Sequence, residues 1–262
     1  MTDAPAVLKR ATTTAFSKNR ADVNKQLGTT DFDGWLASLI RSVPFDTALD
    51  LCCGTGNQLV SLLGVNPNAV VTGVDVAAES LNIAGNRVNE AGTSVTLIES
   101  NIDKVFAVSE ISYQRFDLVT CAYGLYYSRN VDALLRSVID HLSDTGSILI
   151  VGPYGRNNFP LFDLLSRHFD LPYEVVRSCT SFMTEEVLPL LEARLCVREE
   201  TFVNKVVYPD ADAVMSYWRA TTFFDPSAEK AVQKDVEEHV AKHGEFCIEK
   251  HVMAITAGRK ES

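Results

Sequence analysis

The chain has 262 residues, 46% hydrophobic and 22% charged, a composition that reads as globular with a substantial buried core. Its 34 acidic against 24 basic side chains leave a formal charge of −10. That field repels phosphate backbones and anionic lipid, and it argues against nucleic acid and membrane surfaces as partners.

No run reaches the ~20 apolar residues of a membrane-spanning helix. Residues 1 to 20 hold no continuous apolar core of a secretory signal, so a cytoplasmic location is expected. The six cysteines (Cys52, Cys53, Cys121, Cys179, Cys196 and Cys247) form no C-x-x-C pair, and none has a histidine at zinc-ligand spacing. They read as mostly buried, reduced thiols, and no metal site is predicted.

In chain order, residues 1–45 are expected to form an N-terminal helical arm. Its last part, "FDGWLASLIRSV", carries apolar residues at helical spacing and is stopped by Pro44. Strands and helices then alternate. "TALDLCC" reads as a buried strand, "GNQLVSLLGV" as a helix, "AVVTGVDV" as a strand and "AAESLNIAGNRVNEAG" as a helix closed at Gly92. "SVTLIESN" and "RFDLVTCAYG" read as strands, "NVDALLRSVIDHLSDTG" as a helix and "SILIVGPYG" as a fifth strand.

After Gly155 the rhythm changes. "NNFPLFDLLSRHFDLP" reads as an aromatic helical segment, and "FMTEEVLPLLEARL" as a helix with Thr184 as its N-cap. The strand "CVREETFVNKVVY", two helices over "DADAVMSYWRATTFF" and "SAEKAVQKDVEEHVAKHG", and the closing strand "EFCIEKHVMAITAGRK" follow. This pattern predicts an α/β fold: a doubly wound, Rossmann-like, mostly parallel sheet of about seven strands with helical lid insertions. No linker separates the parts, so one domain is expected: the arm 1–45, a core 46–155, and insertions with closing strands over 156–262.

The glycine loop of "LDLCCGTGNQL" sits between strand and helix, where backbone N–H groups can approach a ligand closely. A P-loop needs Gly-Lys-Ser/Thr, but Asn57 and Gln58 follow Gly56. A dinucleotide loop wants a third glycine where Leu59 stands. Asp50, four residues before Gly54, would repel pyrophosphate but suit a ligand that carries an ammonium group. Asp75, at the end of the second strand, can accept from ribose hydroxyls. Together these features point to S-adenosylmethionine.

"LDLCCGTGNQL", "VTGVDVAAESLNIA", "RFDLVTCAYGLYY" and "HLSDTGSILIVGP" resemble, in order and spacing, the successive motifs of class I S-adenosylmethionine-dependent methyltransferases. The resemblance covers roughly residues 46 to 155. It implies cofactor contacts from Asp50, Cys52, Gly54, Gly56, Asp75 and Val76. It adds Asn101 and Ile102 near the adenine, with Asp103 as the alternative to Asn101, and Cys121 and Ala122 beside the sulfonium. The cysteines themselves read as small fillers rather than nucleophiles.

Tyr123, Tyr126 and Tyr127 follow the fourth strand, where an acceptor would meet the methyl group, so Tyr123 and Tyr126 are candidate catalytic residues. His168 is the candidate base. Tyr154 and Arg156 fall at the same edge of the sheet, and Trp218, Phe223 and Phe224 are candidates for a lid wall. The fourth strand lacks the Asn/Asp-Pro-Pro-Tyr/Phe run of exocyclic-amine methylation. The expectation is an enzyme that methylates a small molecule and releases S-adenosylhomocysteine. A peptide or protein methyltransferase and a non-catalytic cofactor-binding protein are the alternatives. The acceptor atom and the oligomeric state are open.

Overall fold

The computed structural model describes residues 26–259. The first 25 residues of the expected N-terminal arm lie outside the described residues. The described chain forms two compact units, one from residues 33–152, 182–201 and 253–259, the other from 26–32, 153–181 and 202–252.

The first unit is laid down by the alternation. Helix α1 (Phe32–Arg41) precedes strand β1 (Thr47–Leu51), helix α2 (Asn57–Val65), strand β2 (Val70–Asp75), helix α3 (Ala78–Glu90) and strand β3 (Thr96–Glu99). Strand β4 (Phe116–Ala122), helix α4 (Val131–Asp140) and strand β5 (Leu142–Pro153) complete the regular run. Four successive positions of β1, Ala48 to Leu51, are buried, which is the mark of a strand covered on both faces. β1 pairs in parallel with β2 and β4, β2 with β3, and β4 with β5. With β6 (Cys196–Tyr208) and β7 (Phe246–Gly258) the sheet has seven strands in the order β3-β2-β1-β4-β5-β7-β6. Tyr154 bonds His251 while Gly258 lies beside Ser147, so β7 runs antiparallel to β5 and the sheet is mixed.

Two boundaries differ from the expectation. The helix read over residues 130–146 ends at Asp140, and β5 begins at Leu142. Leu142 pairs with Phe116 and Ser147 with Leu118, so the residues between bulge off the ladder. Gly146 makes the bulge possible: a Cβ there would lie 2.7 Å from the Phe116 carbonyl oxygen. Thr184 is not an N-cap. It lies within a π-helical turn, Phe182–Val187, that runs into helix α7 once α5 (Leu161–Leu165) and α6 (Tyr173–Thr180) have been counted before it. Pro189, early in α7 (Leu188–Glu192), has no N–H to give back to the preceding turn, and the π-helical turn comes directly before it.

The second unit has its own core. Helices α5, α6, α8 (Ala211–Arg219) and α9 (Glu229–His243) contribute Leu161, Phe162, Val175, Trp218 and Val232, with Tyr208 and Phe246 from β6 and β7. Trp218 is fully buried there, stacked on Phe169 and edge-on to Phe224, with its indole N–H donating to the Phe223 carbonyl at 3.3 Å. Trp218 and Phe223 are therefore core residues of this unit, not an open wall. Aromatic residues at helical spacing serve a core and a lid equally well on paper, and here packing claims them.

Candidate active site

Parallel pairing brings the carboxyl ends of β1, β2 and β4 to one edge of the first unit: Leu51 stands opposite Val74 on one side and Cys121 on the other. The chain leaves β1 through Cys52, whose φ is +57°, and turns through Gly54 and Gly56 into α2. Cys53 donates its N–H to the Val74 carbonyl at 2.9 Å, and Gly56 donates to the Cys53 carbonyl at 2.9 Å. Gly56 must be glycine on two grounds. Its φ is +84°, and a Cβ there would sit 2.9 Å from the Ala84 Cβ of α3. The loop is thus pressed against α3 where it enters α2.

Asp75 closes β2 with both carboxylate oxygens engaged. Oδ2 accepts from the Gly54 N–H and Oδ1 from the Ala77 N–H, each at 2.9 Å. Each oxygen keeps a further lone pair for a ligand. Val76, next in sequence, is an exposed apolar side chain at 48%, a surface suited to a flat ring.

Asp50 is only 1% exposed. Its Oδ1 accepts from the Thr120 hydroxyl at 2.7 Å, while Oδ2 is buried with no hydrogen-bond partner. Burial pushes its carboxyl up to about 7; the Thr120 hydrogen bond works against that shift and the Asp75 charge adds to it. A buried acceptor of this kind costs free energy until a donor reaches it. The Cys52 thiol is also pushed up, by its hydrogen bond with Cys121, by burial and by the two aspartates, and burial does the same to Cys53. Neutral thiols are poor nucleophiles, in keeping with a packing role.

On β3 and β4 the remaining candidates fall at the same edge. Asn101 caps a 3-10 turn, Ile102–Ala107, by accepting the Asp103 N–H at 2.9 Å, and Ile102 is buried. Cys121 and Ala122 end β4, and Tyr123 leaves it at φ +57°, with its N–H donated to Val151 at 2.8 Å. Gly124 lies so close to the glycine loop that a Cβ there would be 2.3 Å from the Cys52 Cβ. Tyr126 stands in a second 3-10 turn, Leu125–Tyr127, edge-on to Tyr127 and Phe182.

The first unit therefore gathers every predicted cofactor residue together with Tyr123 and Tyr126, but not His168. That histidine belongs to the second unit, where its Nε2 meets Asp235 Oδ2 at 2.9 Å. Tyr154 and Arg156 also belong to the second unit. Thr120 is the residue the sequence reading missed. Its signal was a lone hydroxyl inside the apolar strand "FDLVTCA", directly across the ladder from Asp50. Among the described residues no group of three or more histidine, cysteine or acidic side chains could hold a metal, and no helix is long and apolar enough to cross a membrane.

This sheet order, with an acid, a glycine loop and a second acid at the carboxyl ends of β1 and β2, is the arrangement expected of the class I S-adenosylmethionine-dependent methyltransferases that the motifs resemble. A family model described as a methyltransferase domain matches residues 44–219, well over half of the sequence, and the chain belongs to that family. It is 28% identical over 123 residues to a demethylmenaquinone methyltransferase of Lactobacillus johnsonii, covering 45% of this chain and 50% of the relative. It is 30% identical over 111 residues to a ubiquinone biosynthesis O-methyltransferase of Serratia proteamaculans, covering 42% and 44%. The chain thus spans half or less of the length of these curated relatives.

Among solved structures, the YcgJ protein of Bacillus subtilis superposes with a TM-score of 0.60 at 17% identity, over 88% of this chain and 98% of that one. The plantazolicin methyltransferase BpumL, solved with a pentazolic desmethyl analogue and S-adenosylhomocysteine, superposes with a TM-score of 0.55 at 16% identity over 98% of each chain. At these identities the likeness establishes the fold.

Proposed function

We propose that the chain transfers a methyl group from S-adenosylmethionine to a small-molecule acceptor in the cytoplasm, with the whole chain acting as one catalytic domain. The observation that carries the cofactor assignment is Asp50: a buried carboxylate with one unmatched oxygen beside a glycine loop fits a ligand that brings an ammonium group. Gly54 and Gly56 would let the backbone close on the amino-acid end, and Asp75 would accept from the ribose. Val76 and Ile102 would flank the adenine near Asn101, and Cys52, Cys121 and Ala122 would line the path to the sulfur. When bound, this cofactor supplies a methyl group already activated on a sulfonium sulfur, displaced in line by the acceptor.

The chain's own task is to orient and to exclude water. Tyr123 and Tyr126, on the backbone that leaves β4, would do so: each phenol offers a donor and an acceptor, and each ring a wall. His168 is the proposed base for an acceptor that must lose a proton. Its Nε2 is paired with Asp235, so Nδ1 would be the nitrogen that takes the proton. The relatives named for quinone biosynthesis support a ring-bearing small acceptor.

The test is release of S-adenosylhomocysteine with reduced benzoquinones, reduced naphthoquinones, catechols and a peptide library as acceptors. Turnover with a ring hydroxyl or ring carbon supports the proposal. Turnover confined to peptides replaces it with the peptide reading. Cofactor binding without turnover on any acceptor favours a binding protein.

A further inference from the structure

Asp103 follows directly on the two residues assigned to the adenine, yet its carboxylate is engaged elsewhere. Oδ1 accepts from the Ser128 hydroxyl at 2.6 Å and Oδ2 from the Arg129 N–H at 3.1 Å. Its own N–H is held by the Asn101 side chain at 2.9 Å. From Ser128 the chain of bonds continues: its hydroxyl oxygen accepts the Asn130 N–H at 3.2 Å, and Asn130 caps α4 through the Ala133 N–H at 3.0 Å. The turn that carries Tyr126 and Tyr127 ends where this clamp grips, with Tyr127 and Ser128 donating back to Gly124 and Leu125.

One acidic side chain therefore bonds the segment after β3 to the segment after β4. We propose that Asp103 is a positioning residue that makes the order of the tyrosine turn depend on cofactor binding, so that the cofactor binds before the acceptor. This rests on the proposed function, in which Asn101 and Ile102 meet the adenine and the tyrosines meet the acceptor. Adenine that fixes Asn101 also fixes the Asp103 N–H bonded to it. The carboxylate then holds Ser128 and Arg129 in register. Both clamp bonds are charge-assisted but exposed, so each is strong enough to bias the turn and too weak to freeze it.

Hydrogen exchange of the full chain with and without S-adenosylhomocysteine reads this directly. In the wild type the ligand should slow exchange across residues 124–131 about three- to tenfold, the span of one or two net hydrogen bonds. Asp103→Ala should bind the ligand within about twofold of wild type and keep protection of the glycine loop, but lose the slowing at 124–131. Asp103→Asn, which retains an acceptor for Ser128, should recover part of it. Ser128→Ala should repeat the loss with Asp103 intact, which keeps the test alive if Asp103→Ala folds poorly. Slowing that survives in both alanine variants overturns the clamp. Affinity that falls tenfold or more in Asp103→Ala overturns it in favour of a direct adenine contact. A wild type that fails to bind S-adenosylhomocysteine refutes the cofactor assignment, and the inference falls with it.

Discussion

Replacing Asp50 by asparagine should stabilise the ligand-free protein at high pH and destabilise it at low pH. The carboxyl stands near 3.8 when free and is pushed up to about 7 in the fold. An acid raised on folding contributes its full share of stability below the unfolded value and loses it as the pH climbs to the folded one. By linkage that loss amounts to about 4 kcal/mol between pH 4 and pH 8. Asparagine removes the titration and keeps an oxygen for the Thr120 hydroxyl, but it buries an amide NH₂ without a partner, at about 1–3 kcal/mol. The balance is a gain of about 1–3 kcal/mol at pH 8 and a loss of similar size at pH 4. Urea unfolding of both proteins at the two pH values measures it. Affinity for S-adenosylhomocysteine should fall at least about tenfold at pH 8, since the ammonium loses its counter-charge. Equal destabilisation at both pH values would mean that Asp50 carries no ionisation cost, and the argument for its unmatched oxygen would collapse.

The same carboxyl should release a proton when the ammonium arrives. Calorimetry at pH 6.5 in buffers of different ionisation enthalpy should show up to about one proton released per ligand, with affinity rising through pH 7 and then levelling. Thr120→Val removes the hydrogen bond that holds the Asp50 carboxyl down, so the affinity rise should shift to higher pH; an unmoved profile would assign the titration to another group. Gly124→Ala should cost about 1–3 kcal/mol by overpacking Cys52, and Cys52→Gly in the same chain should restore most of that. Trp218→Ala should cost about 3–5 kcal/mol in unfolding free energy, as expected for a fully buried core tryptophan and not for an exposed wall.

The first unit was legible because its signals are local. Continuous apolar runs of strand length, glycines at loop positions and an acid at the end of a strand need no knowledge of distant residues. Its doubly wound, parallel layout followed from right-handed crossovers, while the strand order itself came only with the structure. Other features depended on residues remote in sequence. The bulge at the start of β5 is set by Phe116 on the neighbouring strand, so the helix before it looked longer than it is. Thr120 is meaningful only across the ladder from Asp50, 70 residues away. The aromatic residues of the C-terminal half had no preferred face on paper, and only the packing of Trp218 among Phe169, Phe223 and Phe224 assigned them.

The backbone costs of the first unit are concentrated where the cofactor is proposed to lie. Of the three described non-glycine residues with positive φ, Cys52 and Tyr123 leave β1 and β4 at neighbouring positions, and Gly124 is fitted against the first of them. The unmatched oxygen belongs to Asp50, on β1 two residues before Cys52. Each left-handed residue costs on the order of 1 kcal/mol, and the buried carboxylate costs more. A fold selected for stability alone would place glycine at Cys52 and an apolar side chain at Asp50, as β1 does at its other buried positions. The proposed ligand would recover the electrostatic part, because its ammonium would both pair the carboxylate and remove its need for a proton. The backbone part is not recovered by charge. What it sets is direction: a left-handed Tyr123 sends its side chain off the line of β4, and a trimmed Gly124 lets that turn close on the glycine loop. Cofactor loop and tyrosine turn are thus built against each other, and a change at either should be felt at both.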